Sequence, residues 1–293
     1  MSQNDNIISC NLVGGLGNQL FQIFTTIAQG TAQHGTRKVV FPYTDVLTVG
    51  TVRQTYWNNM LVSIKFMTTN NAKFGINNND IMQFKVYSEN GFSYQPIPDF
   101  GGVNRVILNG YYQSYKYFDS KKETLFSLIR LKKQQDSIKN EYSRFFSTGH
   151  HSVSMHFRLG DYKNIQDCHP LMTYEYYENA LRYIIEKRSS INVLYFCQPE
   201  DNVVVSTIVS RLHNEFPDVV FTKVDDTIED WKQMLIMSCC RDNIIANSTF
   251  SWWGAYFNEN IDKIVCYPAV WFGPRLTHNT DDLFPNEWIK IAV

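Results

Sequence analysis

No two cysteines in this chain stand in a C-x-x-C arrangement, although six are present: Cys10, Cys168, Cys197, Cys239, Cys240 and Cys266. Several lie inside apolar runs, where a reduced thiol behaves as a small hydrophobe. A disulfide framework and a zinc site are therefore not expected, and a reducing compartment is. No window approaches ~18 uninterrupted apolar residues, so no segment is expected to span a membrane. The first residues, Met-Ser-Gln-Asn-Asp-Asn, lack the basic flank and apolar stretch of a signal peptide. Charge of one sign is missing too: 27 basic and 28 acidic residues leave a formal net charge of −1. That balance offers no footprint for nucleic acid and no polybasic patch for a membrane surface. The location expected on these grounds is the cytoplasm. There is no G-x-x-x-x-G-K-[ST] phosphate loop. Asp-x-Asp, the metal clamp of one broad group of nucleotide-sugar enzymes, is also absent, since Asp225-Asp226 and Asp281-Asp282 are adjacent and not spaced.

What is present suits a large folded core. Hydrophobic residues are 44% of the 293 and charged residues 19%, enough for one large domain or two ordinary ones. The aromatic content of 15% suits stacking on carbohydrate and an ordinary core equally. Ile7–Val13 reads as a strand, followed by a glycine turn and a helix to about Gln33. Arg37–Phe41 reads as a second strand, residues 42–99 as irregular, Val106–Leu108 as a strand, and much of Lys121–Phe146 as helix. A turn at Ser147-Thr148-Gly149 puts the domain boundary near His150, giving domains 1–150 and 151–293. After it, strands at Ser152–Arg158, Val193–Cys197, Val219–Val224, Asn243–Ala246 and Lys263–Tyr267 alternate with helices. The helices are placed from Thr173, within Asp201–Phe216, over Ile228–Cys240 and over Ser251–Asn258. This alternation predicts an α/β fold with a parallel sheet covered by helices on both faces.

Three stretches carry candidate chemistry. Ser152–Asp161 opens with strand alternation and delivers His156, Arg158 and Asp161 to a turn at Gly160. The carboxyl end of a parallel strand is where an open α/β sheet places its ligand. Arg158 offers a planar fork suited to phosphate, which Asp161 would brace; a solvated ion pair explains the same residues about as well. Asn247-Ser248-Thr249-Phe250-Ser251 follows another strand, and its hydroxyls suit either helix capping or phosphate binding. Gly14-Gly15-Leu16-Gly17-Asn18-Gln19 sits between a strand and a helix. It reads as a binding loop or as a tight turn, but not as a standard dinucleotide fingerprint, which needs a small residue where Leu20 stands.

Together with Gly110-Tyr111-Tyr112-Gln113-Ser114, these blocks resemble the signature stretches of family 11 glycosyltransferases, the GDP-fucose-dependent α-1,2-fucosyltransferases. Quoted in full they are Gly14–Gln22, His156–Tyr162 and Asn247–Gly254, and they occur in family order from residue 14 to residue 254. The resemblance implies two Rossmann-like domains facing across a cleft, in the manner called GT-B. The acceptor side would be 1–150 and the nucleotide-sugar donor site 151–293. It implies inverting transfer of L-fucose from GDP-fucose to the 2-hydroxyl of a galactose-terminated glycan, with no metal and no further cofactor. Arg158 and Asp161 become the candidate catalytic residues. The donor would be held by His156, Arg158, Ser248, Thr249 and Ser251, with Asn18 and Gln19 near the transferred sugar.

The residue that accepts the acceptor proton is not identified, Asp161 being one candidate. Leu159 departs from the pattern, which usually has a second Arg there. If the usual geometry holds, Leu159→Arg is expected to tighten GDP binding or leave it unchanged. Two alternatives stand beside this reading: another nucleotide-sugar transferase with a different acceptor, and a non-catalytic binder of nucleotide or carbohydrate.

Overall fold

The computed structural model describes residues 6–32, 36–146 and 149–292. The predicted helix end at Gln33 and the predicted turn residues Ser147 and Thr148 lie outside them. The chain forms two compact units: the described residues up to Lys132 with His278–Pro285, and Lys133–Thr277 with the described residues from Asn286. Each is an α/β unit around a parallel sheet, as the alternation predicts. Among the described residues no helix is long and apolar enough to cross a membrane.

The first unit begins with β1 (Ile7–Cys10), whose four residues are all buried. Burial on both faces is what an interior parallel strand requires, and all but Ser9 of these residues are apolar. α1 (Leu16–Gly30) follows, then β2 (Lys38–Val39), a short hairpin of β3 (Val46–Leu47) and β4 (Arg53–Gln54), α2 (Asn78–Ile81), β5 (Lys85–Ser88), β6 (Arg105–Asn109) and α3 (Lys122–Leu128). The sheet order is β2-β1-β6-β5, parallel throughout. β1 and β6 are thus neighbours, and the loops leaving their carboxyl ends, at Gly14 and Gly110, lie side by side. α1 is buried along nearly its whole length, with Phe21 and Phe24 packed on Phe118 at 5.8 and 5.9 Å between ring centroids.

The helix read over Lys121–Phe146 is broken: Arg130 takes φ 54° and separates α3 from α4 (Leu131–Glu141). From Lys133 on, α4 belongs by its contacts to the second unit, although it precedes the boundary read near His150. The buried Gln135 donates to Ser238 Oγ (3.1 Å) and to the carbonyl of Phe257 (2.9 Å). Such long-range pairings leave no trace in local patterning.

The second unit continues with β7 (His151–His156), α5 (Tyr174–Ile185), β8 (Ile191–Phe196), α6 (Asn202–Glu215), β9 (Val220–Lys223), α7 (Asp230–Cys239), β10 (Asp242–Ile244), α8 (Thr249–Tyr256), β11 (Val265–Pro268) and β12 (Ile289–Ile291). Each predicted strand and helix of this half is present, with ends shifted by a few residues. Thr173 does occupy the N-cap position of α5, but its side chain caps no backbone N–H. β12 is the strand of this half that patterning missed, being short and adding only to the edge; β3, β4 and β5 were likewise missed in the stretch 42–99 read as irregular.

The sheet order is β12-β11-β10-β7-β8-β9, again parallel throughout. From β7 the chain winds outward through β8 and β9, then crosses to the far side of β7 and winds outward again. β7 and β10 therefore flank a topological switch point, where loops leaving adjacent strands diverge and open a crevice at the carboxyl edge. Two of the three candidate motifs leave the sheet there.

Candidate functional site

Arg158 stands two residues past β7 with its side chain one-fifth exposed. Its Nη2 donates to Asp161 Oδ1 at 2.5 Å and its Nη1 to Gln198 Oε1 at 2.8 Å. The guanidinium lies over the Tyr162 ring, 4.8 Å from the centroid. The turn that presents it depends on Gly160, which adopts φ 39° where any Cβ would overlap Gln198 Oε1. The N–H of Gly160 donates to Asp201 Oδ2 (2.8 Å), and Lys163 Nζ donates to Asp201 Oδ1 (2.6 Å). Asp201 is fully buried, a position a carboxylate tolerates only when both oxygens are paired in this way.

Tyr162 joins the first motif to the second. Its hydroxyl donates to the carbonyl of Asn247 (3.3 Å), and its ring stacks on His169 at 4.7 Å. Asn247 in turn donates to the carbonyls of Pro170 (2.9 Å) and Trp271 (3.2 Å), pinning two loops to the end of β10. Ser248 is the N-cap of α8, its hydroxyl accepting the Phe250 N–H at 3.3 Å. The Ser251 hydroxyl is buried and donates to the carbonyls of Ser248 and Ala246. Thr249 is the more exposed of the three hydroxyl residues. Ser248 thus serves the helix start, where the first N–H groups have no intrahelical acceptors, while Ser251 ties the helix to the carbonyls of the turn before it.

His156 closes β7 and is 8% exposed. Its ring lies 5.6 Å from that of Phe250, and Nδ1 is buried without a hydrogen bond. Burial, and after it the Arg158 charge, push the imidazole down from its ordinary 6.5 to about 3. The ring is therefore neutral at working pH and can accept a hydrogen bond from a ligand. The same shift makes a stability prediction. Below about pH 6.5 the unfolded chain takes up a proton at His156 that the folded protein refuses. Stability from this group is complete above that pH and falls towards pH 3, by up to ~1.4 kcal/mol per pH unit. His156→Gln is expected to flatten the acid limb of the melting temperature between about pH 7 and pH 4; superimposable acid limbs would contradict the burial argument.

Leu159 is the point at which the sequence-based expectation fails. The position read as a missing cation is 7% exposed and belongs to the apolar core with Phe157, Tyr177 and Cys197. Phe157 and Leu159 are both buried and Arg158 between them is one-fifth exposed, the alternation of extended chain carried past the end of β7.

In the first unit, Gly14 takes φ 80° and leaves no room for a Cβ against the Asn18 side chain. Asn18 is half-exposed, and its Oδ1 accepts from Gln113 Nε2 at 3.0 Å. Gln19 is fully buried; it donates to the carbonyls of Gly14 (3.0 Å) and Gln54 (2.9 Å). Gln22 accepts from Val13 N–H and donates to the carbonyl of Gly110. The glycine loop and the Gly110 block are thus one constructed surface. Glu89, at the end of β5, adds to it: one carboxylate oxygen accepts the N–H groups of Tyr111 (2.8 Å) and Tyr112 (3.0 Å), holding Tyr112 at φ 53°. Burial outweighs these two bonds and raises the Glu89 pKa above the ordinary range.

Sequence reasoning missed Gln198, Asp201, Lys163, Gln22 and Glu89. Gln198 and Asp201 were accessible in part, since they follow a parallel strand at the ligand-bearing edge. Among the described residues no three His, Cys, Asp or Glu side chains gather into a group fit to hold a metal ion.

A buried His, a braced Arg fork and a helix start are gathered at a switch point of a parallel sheet, the edge at which open α/β sheets place their ligands. Residues 7–292 match the description "Glycosyl transferase family 11", and the chain belongs to that family. It is 28% identical over 302 aligned residues to an alpha-1,2-colitosyltransferase of Escherichia coli, covering 98% of this chain and 99% of that one. It is 29% identical over 197 residues to the O-antigen biosynthesis glycosyltransferase WbnK of Escherichia coli. That match takes in 64% of this chain and 61% of WbnK's own length. Among solved structures, POFUT1 in complex with GDP-fucose is 13% identical with a TM-score of 0.49, covering 90% of this chain and 98% of that chain. A likeness of that degree adds nothing to the family assignment.

Proposed function

We propose that this glycosyltransferase moves L-fucose from GDP-fucose to the 2-hydroxyl of a galactose-terminated glycan, with inversion and without a metal ion. The observation that carries the reading is the fixed Arg158 fork at the β7–β10 switch point, joined through Tyr162 to the Asn247–Ser251 turn. The acceptor oxygen attacks the anomeric carbon as its bond to the diphosphate breaks, and negative charge grows on the departing GDP. Arg158 and the start of α8 meet that charge. His156, neutral and buried, serves the nucleotide; Thr249 offers its hydroxyl to phosphate, and Ser248 and Ser251 shape the helix start. Asp161, already bonded to Arg158, acts as its brace. Asn18 contacts the transferred sugar, with Gln19 holding the loop beneath it. The first unit takes the acceptor, the second the donor, and the reaction belongs to the cytoplasm.

The colitosyltransferase relative favours a second reading. Colitose is L-fucose lacking the 3-hydroxyl, so the same fork and the same leaving group would serve both sugars. Parallel assays with GDP-fucose and GDP-colitose against a panel of galactosides, followed by linkage analysis, separate the two. An α-1,2-linked fucoside is the expected product; transfer of colitose alone, or to a different hydroxyl, overturns the first reading. Activity is expected to persist in EDTA, because Arg158 and the α8 N-terminus carry the charge. Loss in EDTA with recovery on Mn²⁺ would contradict metal independence.

A further inference from the structure

We propose that Gln198 is a positioning residue for the transfer reaction, acting through Arg158; this rests on the functional reading above. Gln198 lies just past β8, one strand over from the motif that contains Arg158, and belongs to none of the family-like stretches. Its Oε1 accepts Arg158 Nη1 at 2.8 Å while Asp161 holds Nη2 from the other side. A guanidinium bonded at only one end can still swing about that bond. Bonded at both ends, with one face on the Tyr162 ring, it cannot. The site keeps Gln198 oriented in turn: Gly160 lacks the Cβ that would displace Oε1, and the buried Asp201 holds the Gly160 N–H and Lys163. The carboxamide suits this task better than a carboxylate would. It accepts from the guanidinium without cancelling the charge that the leaving diphosphate needs.

Because the bond matters most as charge develops on the leaving group, its loss should appear in kcat more than in KM. Gln198→Met removes the acceptor oxygen at a half-exposed position and should leave the melting temperature near that of the wild type. Its expected cost is about ten- to a hundredfold in kcat, the scale of one hydrogen bond to a charged group. In an Arg158→Lys background the same substitution should cost almost nothing, since residues acting as a unit are non-additive. Gly160→Ala, which pushes on Oε1 from below, should reproduce the loss and add little to Gln198→Met. An equal cost in both backgrounds, or no cost in either, overturns the proposal. NMR of the Arg158 guanidinium supplies a readout that needs no substrate. Slow Nη rotation in the wild type should become fast in Gln198→Met, and unchanged rotation would also overturn the proposal. If rotation is freed while the wild-type protein transfers no sugar from either donor, positioning stands and the functional reading fails.

Discussion

Arg158→Lys is expected to leave the fold intact and to lower kcat by roughly 10²–10³-fold, the scale of removing one preorganised donor from a developing oxyanion. Lysine keeps the positive charge but binds phosphate as a single point, so it cannot satisfy Asp161 and Gln198 while also facing the diphosphate. Arg158→Ala should lose more and should weaken GDP binding as well, because ground-state attraction disappears with the charge. A surface ion pair with Asp161 would predict something different: almost no change in turnover, and a stability change under ~1 kcal/mol. Measuring kcat, GDP affinity and melting temperature on both variants separates the two. Near-wild-type turnover in Arg158→Ala would remove the central group from the proposed mechanism.

Leu159→Arg is expected to unfold the second unit or bring it close to unfolding. The leucine is 7% exposed and belongs to the apolar cluster that includes Phe157, Tyr177 and Cys197. A guanidinium placed there would lose its hydration, while the nearby buried Asp201 is already bonded to Gly160 and Lys163. An unpaired charge in a core costs several kcal/mol, about 3–5 by analogy with buried ion pairs that lose one partner. Folded domains have only ~5–15 kcal/mol to lose. Leu159→Met, which conserves volume and apolarity, should cost less than ~1.5 kcal/mol. Urea unfolding of the two variants makes the comparison directly. An Arg variant that melts with the wild type and binds GDP more tightly would restore the expectation drawn from the family pattern.

The contrast between adjacent residues Arg158 and Leu159 shows how far the one-dimensional pattern reached. Patterning located the strand, the turn and the residue types, because apolar alternation and glycine act locally. It could not say which way each residue past the strand faces. What fixes the turn that follows is Gly160 at φ 39° and Asp201, which is distant in sequence, fully buried and bonded to the Gly160 N–H. Gln19 makes the same point. The family resemblance implied a place for Gln19 near the transferred sugar; in the fold its side-chain N–H groups are bonded to the carbonyls of Gly14 and Gln54. Two residues of one motif, Asn18 and Gln19, were alike on the page and differ in the fold because successive positions on a helix face different directions.

By itself the sequence determined the α/β class, the alternation of the second half, the membership of the motif blocks in one family pattern, and Arg158 as the cation to test. The class, the alternation and the cation follow from periodicity, from turn-forming residues and from side-chain chemistry, all expressed over a few neighbouring positions; the family pattern rests on the resemblance of the motif blocks. Only the tertiary structure decided that β7 and β10 are neighbours and that α4 belongs with the second unit. It also decided that Leu159 is core, and that Arg158 is held from a third strand end by Gln198. Each of these depends on which distant segments are brought into contact, and a parallel sheet makes those choices through crossovers that local patterning does not record.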